Sequence, residues 1–112
     1  MTDTDNENWI IETGHRVIEK KARHGMNYLS EWERLVYCVW VADYMMRNAG
    51  DFALANDLYP AFQRDGRQLA ATLALPVTGG TFALPREQLQ SEYFARFQAV
   101  CNELKQARPD GA

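Results

Sequence analysis

The fold is decided by residues 30–50, which read SEWERLVYCVWVADYMMRNAG. Ser30 and Glu33 have the spacing of a capping box, in which each residue's side chain accepts a hydrogen bond from the other's backbone N–H. Gly50 can adopt the left-handed conformation that ends a helix. Residues 36–41 are strand-prone by type, so a buried strand is the alternative, but the two end signals and the length between them favour a helix.

This predicted helix, from Ser30 to Asn48, is apolar around most of its circumference, so we expect it to occupy the centre of the fold. Aromatic residues and methionines are also enriched at recognition surfaces. The alternative to full burial is therefore that a partner protein covers part of this helix. The residues to which this alternative applies are Trp32, Trp40, Tyr44, Met45 and Met46.

A first helix is predicted to start between Thr4 and Asn6, because Thr4 and Glu7 also have capping-box spacing. It should end at Gly25, directly after a basic last turn that complements the helix dipole. Gly14 interrupts its apolar pattern. The side chains expected to face the core are Trp9, Ile10, Val17 and Ile18.

Pro60 divides the next apolar stripe, which predicts two helices, over residues 51–59 and 60–74. Two prolines and a Gly-Gly pair then predict a loop from Leu75 to Leu84. The last helix should begin at Pro85 and end before Pro109. Its apolar stripe consists of Leu89, Tyr93, Phe97, Val100, Cys101 and Leu104.

These segments predict an all-α fold, a compact bundle of four to six helices around one central apolar helix. The chain has 112 residues, of which 46% are hydrophobic, and this is the size and composition of one domain spanning residues 1–112. The extreme N-terminus and residues 108–112 are expected to be disordered. No apolar run is long enough to span a bilayer, and the N-terminus lacks a secretory signal, so we expect a cytoplasmic protein with no membrane association.

No metal or cofactor site is predicted. His15 and His24 lie nine residues apart, which places them on opposite faces of a helix. Glu12 and Glu19 do share a face with His15, but this spacing is also that of ordinary surface ion pairs.

No catalytic motif is predicted either. Cys38 and Cys101 both fall within apolar helical patterns, which indicates buried structural thiols. The pair Gly79-Gly80 lacks the flanking residues of a phosphate-binding loop, so we interpret it as a turn. An enzyme assembled from distant residues is the alternative, and His15, Cys38 and Cys101 are its first candidates.

The charge disfavours a nucleic-acid-binding surface, because the formal net charge is −3. Four basic residues close the first helix, but complementing the helix dipole accounts for them. These residues are Lys20, Lys21, Arg23 and His24.

From residue 29 onward the chain has the order Leu-x-x-x-Glu-Arg-x-x-Tyr-x-x-Trp, followed by an exit that contains asparagine and glycine. The residues are Leu29, Glu33, Arg34, Tyr37 and Trp40. This pattern resembles the central helix of the bacterial DNA-mimic protein family and its uncharacterised relatives. The resemblance to that family covers residues 29–104. The resemblance implies a small helical cytosolic protein, and one branch of that family binds a DNA-binding protein by presenting carboxylates in place of phosphates.

Together these observations predict a protein-binding module, an immunity-type inhibitor or regulator of a toxin or DNA-binding protein. A carboxylate face would attract a basic partner, and we expect it to lie on the second and third helices. The candidate partner-binding residues are Glu31, Asp43, Asp51 and Asp57. A structural or self-associating protein, in the simplest case a homodimer, is the alternative.

Overall fold

The computed structural model describes residues 3–109, which form six α-helices and one short 3-10 turn. The helices are α1 (Asp3–His24), α2 (Glu31–Ala49), α3 (Ala55–Leu58), α4 (Phe62–Thr72), α5 (Pro76–Phe82) and α6 (Arg86–Gln106), and the 3-10 turn is Met26–Tyr28. The described range contains no strand, so the all-α prediction is confirmed. Disorder was predicted at both ends of the chain, and residues 1–2 and 110–112 of those ends lie outside the described range. No described helix is long and apolar enough to cross a membrane.

α2 is the central helix, and it has the ends that were predicted for it. The backbone N–H of Glu33 donates to Ser30 Oγ at 3.1 Å, and the backbone N–H of Ser30 donates to Glu33 Oε1 at 2.9 Å. Gly50 follows the last turn with a φ of 74°. α2 packs against α1, α4 and α6, and Leu35, Val36 and Met45 are fully buried.

α1 and α2 are in close contact at Gly14. A Cβ atom added there would lie 2.2 Å from Cδ1 of Trp40. The glycine that interrupts the apolar pattern of α1 is therefore the position at which the Trp40 ring rests on the α1 backbone. Of the predicted core-facing residues, Ile10 and Val17 are buried, whereas Trp9 and Ile18 are only partly buried.

The predicted start of α1 is wrong in detail. Thr4 already lies within the helix, which includes Asp3, so it does not cap it. The Glu7 carboxylate pairs instead with Nη1 of Arg47, at 2.9 Å. The predicted end is confirmed, because Gly25 has a φ of 87° and donates its backbone N–H to the carbonyl oxygen of Lys21.

The break at Pro60 is confirmed, but both helices beside it are shorter than predicted. α3 spans only Ala55–Leu58 and α4 spans Phe62–Thr72. Asp51 does not cap a helix, because its Oδ1 accepts from the backbone N–H of Ala53 and forms a turn ahead of α3.

The loop predicted from Leu75 to Leu84 is wrong over most of its length, because α5 occupies residues 76–82. Pro76 is the first helical residue, where the missing N–H has no cost. The Glu103 carboxylate of α6 accepts from the backbone N–H groups of Val77 and Thr78, at 2.9 and 2.7 Å. A side chain 25 residues further along the chain thus caps this helix.

Side chains from distant elements also hold the other end of α5. Nε2 of Gln63, on α4, donates to the carbonyl oxygens of Phe82 and Leu84, at 3.1 and 2.7 Å. α6 follows as predicted, and its apolar stripe is buried as expected. Its last turn is joined to α2 by the Trp32 indole N–H, which donates to the carbonyl oxygen of Leu104 at 3.0 Å.

Candidate functional site

The structure does not bring the four predicted partner-binding carboxylates together on one face. Glu31, Asp51 and Asp57 are exposed. Glu31 opens α2 and Asp51 follows its C-cap, so the 19-residue helix separates them by about 28 Å.

Asp43 is buried, with 3% exposure, and cannot present its carboxylate to a partner. The Tyr93 hydroxyl donates to its Oδ1 at 2.7 Å, and Nε of Arg47 donates to both of its oxygens at 3.0 Å. Burial raises the pKa of Asp43, and it outweighs the hydrogen bond from Tyr93 and the charge of Arg47, which act to lower that pKa. Because Arg47 also pairs with Glu7, this network joins α2 to α6 and α1.

The most distinctive partly exposed feature is a row of stacked aromatic rings, three on α2 and one at the end of α3, which we call the aromatic row: Tyr59, Tyr37, Trp40 and Tyr44. Successive ring centroids are 5.5, 6.4 and 5.3 Å apart, and the interplanar angles are 27°, 8° and 24°. Tyr37, Trp40 and Tyr44 are spaced by three and four residues, which places them on one helix face. Tyr44 is 42% exposed and the other three rings are partly buried.

The aromatic row ends in a cleft between α1 and α2 with a volume of about 310 Å³, the α1–α2 cleft. Ile11, which is 40% exposed, lines its α1 side. The His15 ring lies 6.2 Å from the Trp40 ring. The other lining residues are Asp43, Tyr44, Arg47 and Asn48.

A cation lies toward each end of this surface. Nζ of Lys21 is 5.3 Å from the centre of the Tyr37 ring, and no ion pair joins Lys21 to a carboxylate in the described part of the chain. Arg47 lines the cleft at the other end, where its charge is shared with Asp43 and Glu7. The surface is therefore apolar at its middle, Lys21 supplies a positive charge beside Tyr37, and the charge of Arg47 at the cleft already faces two carboxylates.

The thiols are not nucleophiles at neutral pH. Burial raises the pKa of Cys38 to about 12 and that of Cys101 to about 12. Both side chains are buried, as the sequence predicts for structural cysteines. Within residues 4–109, no three His, Cys, Asp or Glu side chains converge in a way that could hold a metal ion.

Comparison of the chain with protein-family models, with curated proteins and with solved structures finds no match in any of the three. The resemblance to the DNA-mimic family stays a prediction. Function has to be argued from the geometry of the chain itself.

The sequence pointed to part of this surface. Of the five residues on α2 for which cover by a partner was the alternative, Tyr44 is exposed and Trp40 is partly exposed, whereas Trp32, Met45 and Met46 are buried. The contributions of Tyr37 and Tyr59 were missed. The spacing of Tyr37, Trp40 and Tyr44 was the available signal for the row, and nothing local indicated that Tyr59 would stack on it.

Proposed function

We propose that this protein is a small protein-binding module, and that the aromatic row and the α1–α2 cleft form its contact surface. The observation that carries this proposal is a row of stacked aromatic rings on a face of α2 that the rest of the fold covers only in part. Tyrosine, tryptophan and arginine are the residue types that dominate the binding energy of protein interfaces.

The geometry of the aromatic row favours binding because its rings are already ordered. Each ring stacks on a neighbour, and Trp40 also rests on Gly14. Side chains that are held in place before association lose little conformational entropy when a partner covers them. Ile11 and Tyr44 would gain most from such cover, because they are the most exposed apolar side chains of the surface.

The charges indicate what this partner carries. Lys21 lacks an internal ion pair with the described residues, and Arg47 lies at the other end of the surface. A partner segment with apolar side chains and a carboxylate placed beside Lys21 would complement both the rings and the charge of Lys21.

The second candidate is a contact through one or more of the separate carboxylates Glu31, Asp51 and Asp57, which are exposed and form no ion pair with the described residues. It would suit a basic toxin or DNA-binding protein, as expected for an immunity-type regulator. The aromatic row remains our first choice, since exposed carboxylates on a helix surface are ordinary whereas a stacked aromatic row is not.

The test compares Ile11→Ser and Tyr44→Ser with Val77→Ser, a control that removes an apolar side chain of the same 40% exposure from α5. A protein captured from the source cell by the unchanged chain is purified, and its affinity for each variant is measured by calorimetry. We expect Tyr44→Ser to weaken binding at least tenfold and Val77→Ser to leave it unchanged. Thermal denaturation verifies that the variants fold.

Equal affinity of all three variants contradicts the proposal. If binding is lost only on charge reversal, in Glu31→Lys, Asp51→Lys and Asp57→Lys, the second candidate contact is the correct one. Light scattering tests whether the chain associates with itself. If the chain forms a homodimer and Tyr44→Ser dissociates it, the partner on this surface is a second copy of the chain.

A further inference from the structure

A second cleft, of about 390 Å³, lies between α4 and the connection from α5 to α6. Three arginines line it, Arg64, Arg67 and Arg86, and we call it the arginine cleft. Pro60, Phe82, Leu84 and Pro85 supply its apolar walls. It shares no lining residue with the α1–α2 cleft.

The backbone places these arginines together. Arg64 and Arg67 are three residues apart on α4 and so lie on one helix face. Arg86 is the first residue of α6. Since α6 has 21 residues and no side-chain cap at this end, its N-terminus adds the positive end of a long helix dipole beside Arg86.

Arg86 is held in position by neighbours that leave its charge uncompensated. Its Nε donates to Oε1 of Gln63 at 2.7 Å. Its guanidinium carbon lies 5.5 Å from the centre of the Phe52 ring and 5.0 Å from that of Phe62. Gln63 is itself held in place, because its side-chain amide nitrogen donates hydrogen bonds to the carbonyl oxygens at the end of α5. Gln63 therefore acts as a positioning residue for Arg86.

The positive charge of the arginine cleft has little internal compensation. No ion pair joins Arg67 or Arg86 to a carboxylate within residues 4–109. Arg64 pairs with Asp65 at 3.1 Å, but Asp65 also accepts a hydrogen bond from the Tyr59 hydroxyl. Arg64, Arg67 and Arg86 are all exposed, so their charges stay accessible to an anion that enters the cleft.

We propose that the arginine cleft binds a small molecule that carries phosphate groups. The guanidinium group matches the geometry of phosphate oxygens and forms charge-assisted, bidentate hydrogen bonds with them. The volume lies in the range of small-molecule sites, and the apolar walls can contact the body of such a ligand. This proposal does not depend on the aromatic row.

The experiment uses inorganic pyrophosphate as the probe, titrated into the full chain by calorimetry and by amide NMR at constant ionic strength. We expect saturable binding, with shifts confined to residues 60–67 and 82–88. Arg67→Gln should weaken binding about tenfold, since it removes one charge-assisted contact. The Arg67 side chain is exposed and forms no hydrogen bond or ion pair with the described residues, so this variant should fold normally.

The matched control is Arg96→Gln, which removes the same charge at a site where the arginine is paired with Glu92. It should bind pyrophosphate like the unchanged chain, as should Tyr44→Ser. Absence of saturable binding, or equal weakening by Arg67→Gln and Arg96→Gln, overturns the proposal. A titration with citrate distinguishes phosphate ligands from carboxylate ligands. If citrate binds as tightly as pyrophosphate, the cleft recognises carboxylates and the phosphate assignment is wrong.

Discussion

A glutamate side chain accepts hydrogen bonds from backbone amides at the N-terminal end of both α2 and α5. The two glutamates differ in how far along the chain they lie from the amides they bind. In α2, Glu33 closes a capping box with Ser30, three residues away. In α5, Glu103 reaches the first free amides from α6, 25 and 26 residues away. One helix contains its own start signal, and the other receives it from the assembled fold.

The difference shows what each helix requires in order to form. α2 has 19 residues, a local cap at each end and apolar side chains on most of its surface. α5 has seven residues, two of them glycines, and a helix this short is not stable in water without tertiary contacts. We therefore expect α5 to respond to distant substitutions that leave α2 intact.

The largest effect is expected from Phe82→Ala. Phe82 is 5% exposed, packs edge-to-face on Phe62 and lies so close to Gly66 that an added Cβ there would be 2.8 Å from its ring. Removing the ring should lower the free energy of unfolding by about 3–5 kcal/mol. Hydrogen exchange should accelerate throughout residues 76–82 far more than in α2, and uniform acceleration would contradict the independence of the two helices.

Glu103→Ala should have the next largest effect. It leaves the amides of Val77 and Thr78 without their carboxylate acceptor, which should cost about 1–2 kcal/mol. Faster exchange should be confined to α5. Glu92→Ala, which removes a partly exposed partner of Arg96 from the same helix, is the control and should leave the free energy of unfolding nearly unchanged.

Ser30→Ala tests the local cap. We expect a loss of about 1 kcal/mol in chemical denaturation, because one backbone amide loses its acceptor. Fraying should be restricted to the first turn, because the buried residues of α2 hold the remainder of the helix. If Ser30→Ala instead opened α2 along its whole length, this helix would depend on its cap as much as α5 does.

The smallest effect concerns the charge of Glu33. Burial acts to raise the pKa of Glu33, but hydrogen bonds from the Ser30 backbone and from Lys20 together outweigh it and lower that pKa below its ordinary value of 4.5. A lowered pKa in the folded chain means that the carboxylate contributes stability above the unfolded value, and that this contribution is lost as the pH falls through the folded value.

Glu33→Gln keeps a side-chain acceptor for the capping box and removes the charge. It should therefore cost about 0.5 kcal/mol at pH 7, a modest value because Lys20 is well exposed. The difference from the unchanged chain should shrink in denaturation curves as the pH falls below 4.5, and it should disappear once the pH lies below the lowered folded pKa. A difference that does not depend on pH would show that shape, and not charge, matters at this position.

The candidate site was less predictable than the helices. Exposure of Glu31, Asp51 and Asp57 agrees with their residue type, but burial of Asp43 depends on Tyr93, which lies 50 residues away. Its spacing of four residues from Arg47 was the only local indication of an internal pair. In the same way, Tyr59 joins the aromatic row only because the packed fold places the end of α3 beside Tyr37.

The sequence by itself determined the elements whose signals lie within a few residues of each other. These are α2 with its capping box and Gly50, the long apolar stripe of α6, and the break at Pro60. Helix caps, proline geometry and periodicity act over one or two turns, so they are readable from neighbouring residues.

Only the tertiary structure decided that residues 76–82 are helical, that Asp43 is buried, and that the Trp40 ring packs against Gly14. Each of these outcomes depends on a hydrogen bond or a steric contact between residues at least 25 positions apart. Such groups meet only after the helices have packed, and no local pattern records which side chain will arrive at a helix end or against a glycine.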